Sequence, residues 1–236
     1  IRNINEGDIG LWAIWTLQEY ARWSSLPDMV SRYGDFLDEL IHYYLRNVHP
    51  NLRIDDNGLC VMTGDGRPLS WMDAKVNGQA VVRREGYLVE VNALWYNALC
   101  FYREALPQKW TPELEELLGR VQQSFCDTFI NQHGYLFDYV HPHSSWRDWS
   151  VRPNMVFATS PPYSPLPKAP RRSVLEIITR ELRTPKGLRS LSPKSDGYQP
   201  QCHGTQWQRE QSYYNGSVWP WLLGPYFEAC IKLYGR

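Results

Sequence analysis

The sharpest chemical signal in the sequence is a carboxylate between a tryptophan and a lysine, in Leu69-Ser70-Trp71-Met72-Asp73-Ala74-Lys75-Val76-Asn77-Gly78. A general acid must keep a proton until a leaving oxygen needs it, and an apolar ring and a cation tune carboxyl groups in opposite directions. Asp73 could equally be a turn aspartate bonded to its own backbone. A second constellation, Glu90-Val91-Asn92-Ala93-Leu94-Trp95-Tyr96-Asn97, opens a helical stretch. Glu90 there either complements the helix N-terminus or accepts from sugar hydroxyls. Val151-Arg152-Pro153-Asn154 places a guanidinium and an amide before another helix, as a substrate clamp or an ordinary cap. Tyr213 to Trp221 forms a turn shaped by Gly216 and Pro220, presenting Trp219 and Trp221 either to a ligand or to the core. His133, His141 and His143 lie near Asp138 and Asp148 without the spacing of a metal site, so no metal is expected. No phosphate-cradling glycine motif and no serine or cysteine nucleophile signature is present.

Composition narrows the ligand. The 236 residues carry 11 Trp, 15 Tyr and 7 Phe, yet the mean hydropathy is −0.50. Rings set among Asp, Asn, Gln and Arg suit a carbohydrate, whose CH-rich faces stack and whose hydroxyls hydrogen-bond; a packed aromatic core is the competing explanation. Lys plus Arg and Asp plus Glu both number 25, which argues against nucleic acid and anionic membrane as partners. No uncharged apolar run reaches the roughly 18 residues of a membrane helix, and no basic-then-apolar leader opens the sequence at Ile1. Five cysteines without a CxxC pair point to reduced thiols and, with the rest, to a soluble cytoplasmic protein.

The elements that must position these residues are mostly helical. Apolar residues recur at helical spacing over 8–24 and 28–47, separated by Ser25-Leu26-Pro27, and again over 89–105 and 112–131, separated by Pro107 and the cap-like Thr111-Pro112. A short helix over 153–160, a proline cluster, a helix over 172–183 and a last helix over 216–233 follow. Residues 50–87 and 184–213 read as long loops, and strands as almost absent. Helix pairs of about 40 residues alternating with long loops predict an all-α toroid rather than a four-helix bundle, whose connections are short. About seven helices are visible, against the twelve of an (α/α)6 barrel.

Taken together, Leu69–Lys75, Glu90–Leu99, Arg152-Pro153-Asn154, Gly187-Leu188-Arg189-Ser190-Leu191-Ser192-Pro193 and Gly216–Tyr226 resemble the amylo-α-1,6-glucosidase domain of bacterial and archaeal glycogen debranching enzymes, across essentially the whole chain. The resemblance implies an (α/α)6 toroid and inverting hydrolysis of α-1,6-linked glucose at branch points of glycogen or limit dextrin. No cofactor is implied. Asp73 falls at the general acid of the family. Asp8, Trp71, Lys75, Glu90, Asn92, Trp95, Arg152, Asn154, Trp219 and Trp221 fall in blocks that line its glucose pocket. Two departures stand out. Tyr213-Tyr214-Asn215-Gly216 replaces the usual Tyr-His-Gln-Gly. The usual base is a glutamate beyond the position where this chain stops, at Arg236, and the first helices of the barrel would precede Asp8. Residues 1–236 are therefore expected to form a single, incomplete catalytic domain, with Glu90 as the in-chain substitute for the base. A non-catalytic glucan-binding module is the alternative.

Overall fold

The computed structural model describes residues 7–235. Seven α-helices lie among them: α1 (Ile9–Trp23), α2 (Leu26–Leu45), α3 (Val89–Ala105), α4 (Pro112–Phe129), α5 (Lys168–Glu181), α6 (Gln206–Tyr213) and α7 (Leu223–Tyr234). Nine short strands accompany them: β1 (Leu52–Ile54), β2 (Cys60–Met62), β3 (Lys75–Val76), β4 (Gln79–Ala80), β5 (Tyr87–Leu88), β6 (Tyr139–Val140), β7 (Arg183–Thr184), β8 (Gly187–Arg189) and β9 (Val218–Trp219). The fold is mostly helical, and its strands form only two- and three-stranded antiparallel patches.

Helix α3 is the axis of the described structure. Its sequence is apolar on every side, and each residue from Val89 to Tyr102 is buried, as expected of a helix surrounded by neighbours. It packs on α1, α2, α4 and a 3-10 turn over Pro153–Ala158. Burying side chains such as Trp95, Phe101 and Leu99 contributes roughly 1.5–3 kcal/mol each. Ser25 and Thr111 cap α2 and α4, accepting from the backbone N–H groups of Asp28 and Leu114, each with proline in the first turn. Asp8 occupies the same position before α1 but makes no cap bond there, because its carboxylate is engaged elsewhere.

Several expectations change. The stretch 184–213 contains α6, opened by a capping box in which Thr205 Oγ1 accepts from Gln208 N and Gln208 Oε1 accepts from Thr205 N. The last helix begins at Leu223 rather than at residue 216. Val218 and Trp219 instead pair with Arg189 and Leu188 as β9 against β8. A side chain at Gly187, whose φ is +154°, would stand 2.6 Å from the Trp219 carbonyl oxygen, so only glycine permits this approach. Helix α5 starts earlier than expected, at Lys168, because Pro170 lies in the first turn, where no intrahelical donor is lost. The loop over 50–87 holds β1 to β4 and part of β5, and the short helix after Arg152 is 3-10.

Candidate active site

Asp73 is delivered by a tight hairpin. Strands β3 and β4 pair with Lys75 opposite Ala80, and Asn77 and Gly78 take φ values of +50° and +80° between them, the backbone that an Asn-Gly turn favours. The base of this loop is tied to α1 through Asp8. One carboxylate oxygen, Oδ2, accepts from Trp71 N at 3.0 Å and from Trp12 Nε1 at 2.8 Å. Asp8 is 1% exposed, and burial pushes its pKa up to about 7, with the Trp12 hydrogen bond opposing that rise and the Glu90 carboxylate adding to it.

From Trp71 a ladder of buried polar groups runs inward. Trp71 Nε1 donates to Asn154 Oδ1 at 2.8 Å, and Asn154 Nδ2 donates to Asp138 Oδ1 at 2.8 Å. Asp138 Oδ2 accepts from Arg84 Nε at 2.6 Å. Arg84 then grips Glu90 with both terminal nitrogens, at 2.6 and 2.7 Å, and donates to Ser70 Oγ at 3.3 Å. Burial alone would lower the proton affinity of this guanidinium, but Asp138 and Glu90 reverse the effect and hold it well above its ordinary value. A planar cation between two carboxylates, each bonded to it, is the arrangement that makes buried charge tolerable.

Above the ladder is an aromatic rim. Three rings meet the Trp71 indole edge to face: Trp221 at 5.2 Å, Tyr214 at 5.4 Å and Trp219 at 6.0 Å. Tyr214 and Trp219 stack at 5.4 Å with an 8° interplanar angle, and Trp221 stacks on Phe157 at 5.9 Å. Trp221 remains 43% exposed. At the edge of this rim Asp73 is exposed. Its Oδ1 accepts from the Tyr214 hydroxyl at 2.8 Å, and the same hydroxyl lies 2.9 Å from the Trp71 carbonyl oxygen. Burial and the adjoining Asp73 carboxyl keep the Tyr214 phenol protonated, raising its pKa.

With this geometry in hand, the sequence profile of the amylo-alpha-1,6-glucosidase family proves to match residues 3–236. The chain belongs to the amylo-alpha-1,6-glucosidase family. No curated protein matches it. Membership makes it a glycosidase-family domain related to glycogen debranching, with a glucan as the implied substrate class. Among the described residues no helix is long and apolar enough to cross a membrane.

Within this amylo-alpha-1,6-glucosidase domain, the expected site residues divide into three groups. Asp8, Trp71, Asp73, Asn154, Trp219 and Trp221 gather at one place, and Lys75 stands exposed on β3 close by in sequence. Glu90 and Arg152 lie behind them as supports. Arg152 Nη1 donates to the Tyr214 carbonyl and to Ser190 O at 3.2 Å, while its Nη2 donates to Asn215 Oδ1 at 3.2 Å. It therefore pins the segment that carries Tyr214 to the segment that follows β8, and its burial lowers its pKa. Asn92 and Trp95 serve another place. Asn92 bonds Cys60 N, Cys60 O and Leu88 O, and Trp95 Nε1 donates to Gly58 O at 3.2 Å. One turn apart on α3, they share the face that holds β2, so both brace the core.

Three residues of this site were not anticipated. Arg84 and Asp138 meet across 54 positions, a separation that no local spacing reveals. Tyr214 was visible only as a departure from the family pattern, and that departure places a phenol against the proposed acid. Of the loop histidines, His133 stacks on Tyr135 at 6.0 Å, and the nearby Asp138 is bonded to Arg84 and Asn154.

Proposed function

We propose that this domain hydrolyses α-1,6-linked glucose at branch points of glycogen or limit dextrin, with inversion at the anomeric carbon and Asp73 as the general acid. The observation that carries the reading is the contact between Asp73 Oδ1 and the Tyr214 hydroxyl at the edge of the Trp71–Trp219–Trp221 rim. A pyranose seated on those rings stacks its CH face on indole, leaving its hydroxyls for polar neighbours. Tyr214 occupies Oδ1, so the transferable proton sits on Oδ2. As that proton passes to the glycosidic oxygen, the carboxyl becomes charged, and a hydrogen bond to a charged acceptor is stronger than one to a neutral acceptor. The Tyr214 hydrogen, shared between Asp73 and the Trp71 carbonyl, moves toward the carboxylate and stabilises the charge as it develops.

Inversion needs a second carboxylate roughly 6.5–9.5 Å from the acid to activate water. Glu90 is not that group, because both of its oxygens are held by Arg84 and it is fully buried. Trp71, Trp219 and Trp221 are assigned to glucose binding, Asp8 and Asn154 to holding the rim from behind, and Lys75 to its edge. The same reading carries one catalytic domain over 1–236 and an (α/α)6 toroid. Its support is the succession of helices whose connections bring Trp71, Asn154 and Tyr214 together, Trp71 bonding Asn154 and Tyr214 bonding Asp73. All five cysteines are free, which favours a reducing compartment, the cytoplasm.

A second reading, glucan binding without turnover, draws support from the locked state of Glu90. Release of free glucose from limit dextrin separates the two. Hydrolysis is expected, with loss of it in Asp73→Asn; a tryptophan fluorescence change on adding dextrin, with no glucose released, would establish binding alone.

A further inference from the structure

We infer a second glucan-binding surface, a track for a linear α-1,4-linked chain running from the loop that carries Asp73 to the face of α5, with Trp146 and Trp149 as its stacking platforms. The glucan identity of the ligand rests on the proposed function; the existence of the track rests on geometry alone. Three hollows of about 410, 860 and 540 Å³ follow one another on the surface, each within the range of ligand sites. Ser144 and Trp146 are common to the first and second, and Trp149, Lys194 and Ser195 to the second and third. The first is bounded by Asp65, Gly66, Arg83 and Glu85, on the same connection between β2 and β5 as Asp73. The third is bounded by His133, Tyr135 and residues of α5. A succession of joined, open hollows fits an extended chain rather than a single sugar.

The rings along this track are exposed but not loose. Trp146 is 58% and Trp149 45% exposed. They are carried by a hydrogen-bonded hairpin in which Asp138 N donates to Asp148 O, Asp148 N to Tyr139 O and His141 N to Trp146 O. Trp146 Nε1 donates to the Tyr139 hydroxyl at 3.1 Å, and Trp149 meets the Phe137 ring edge to face at 4.6 Å. Fixing an indole while leaving it in water does nothing for the core, but it lowers the ordering cost of a ligand that stacks on it. Charge points to a neutral ligand. Acidic side chains along the track outnumber the four basic ones, Arg83, Arg147, Arg180 and Lys194, and two of these already face Glu181, Lys194 at 3.2 Å and Arg180 at 3.4 Å. With acidic groups in excess, an anionic partner finds no net positive field there, whereas a polyhydroxylated chain finds rings to stack on and polar edges to bond.

The test uses the full chain carrying Asp73→Asn, so that turnover is suppressed, with glycogen and maltoheptaose as probes. Retardation by glycogen in native gels is expected to weaken about 5- to 10-fold in Trp146→Ala and again in Trp149→Ala. On the chain without either alanine, maltoheptaose is expected to protect Trp146 and Trp149 from N-bromosuccinimide, read by peptide mass; this measurement decides the matter if an alanine variant fails to fold. Unchanged retardation in both variants, or oxidation of both indoles that maltoheptaose does not slow, overturns the track. With Asp73 intact, Trp146→Ala is expected to release glucose from a short branched oligosaccharide at the unaltered rate. Loss of the track therefore leaves hydrolysis standing, and failure of the proposed hydrolysis leaves the protection pattern standing.

Discussion

The polar ladder and the aromatic rim meet at Trp71 but differ in what they leave unused. In the ladder, Arg84, Glu90, Asp138 and Asn154 are buried, and their charged or amide atoms bond one another. Nothing remains for a ligand. In the rim, Trp71 and Trp219 are half-buried, Trp221 and Asp73 are exposed, and Asp73 Oδ2 carries no described protein bond. Saturation marks the scaffold, and spare capacity marks the place proposed for substrate. The same contrast separates Asn92 and Trp95, with their polar atoms taken by Cys60 and Gly58, from the residues that meet at Asp73.

The largest expected effect breaks the rim without touching the ladder. Asp73→Asn keeps an oxygen to accept from Tyr214 but has no proton to give, so glucose release from limit dextrin falls by roughly 10²- to 10⁴-fold. The urea midpoint stays close to that of the parent, because Asp73 is exposed and its one described partner is retained. A comparable loss of stability would move Asp73 into the scaffold.

Glu90→Ala does the reverse. It strips Arg84 of one of its two carboxylates inside a dry interior, and removing one partner of such a pair costs about 3–5 kcal/mol. Chemical denaturation reads this directly. A shift of the midpoint worth less than about 1 kcal/mol would show that the ladder is not what holds the site.

Asp8 joins the two regions, and its protonation gives the next effect. Its pKa is raised from 3.8 to about 7 in the folded protein, so between those values the folded chain holds more protons than the unfolded one. The contribution of this group to stability is full below about pH 4, declines as the pH rises through about 7 and is level above it, a total of at most about 4 kcal/mol. Asp8→Asn does not titrate. The melting temperature of the parent, taken relative to that variant, is therefore expected to fall between about pH 4 and pH 7; a constant difference across that window would mean that burial does not govern Asp8.

What could be read beforehand follows the range over which each interaction acts. The helical spacing of apolar residues, the Ser25-Leu26-Pro27 interruption and the cap-like Thr111-Pro112 are local patterns, and they placed the helices. The likeness of the Leu69–Lys75 block to a family is what proposes Asp73 as the acid. The ladder joins positions 70, 84, 90, 138 and 154, which no periodicity links, and only the folded chain assembles it. Asn92 and Trp95 were grouped with the pocket because they share a sequence block with Glu90, although they occupy the α3 face turned to β2. The Thr205-to-Gln208 capping box was present in the sequence, but α6 is short and polar, so no hydrophobic period drew attention to it. The β8–β9 pairing depended on a glycine whose partner lies some thirty residues away.

The smallest effect tests the contact that links the rim to the chemistry. Tyr214→Phe keeps the ring stacked on Trp219 and removes only the hydroxyl that donates to Asp73. If that hydrogen follows the charge formed on Asp73 during proton transfer, its loss weakens the transition state more than the bound ground state. Hydrogen bonds to charged groups contribute roughly 1.5–3 kcal/mol, so kcat is expected to fall on the order of ten- to hundredfold while KM changes little. A purely structural hydroxyl would instead raise KM or lower the melting temperature and leave kcat near the parent value. The steepest kcat loss should appear with substrates whose leaving sugar most needs protonation; an activated aryl glucoside, whose leaving group departs without help, should be cleaved by Tyr214→Phe and the parent at similar rates.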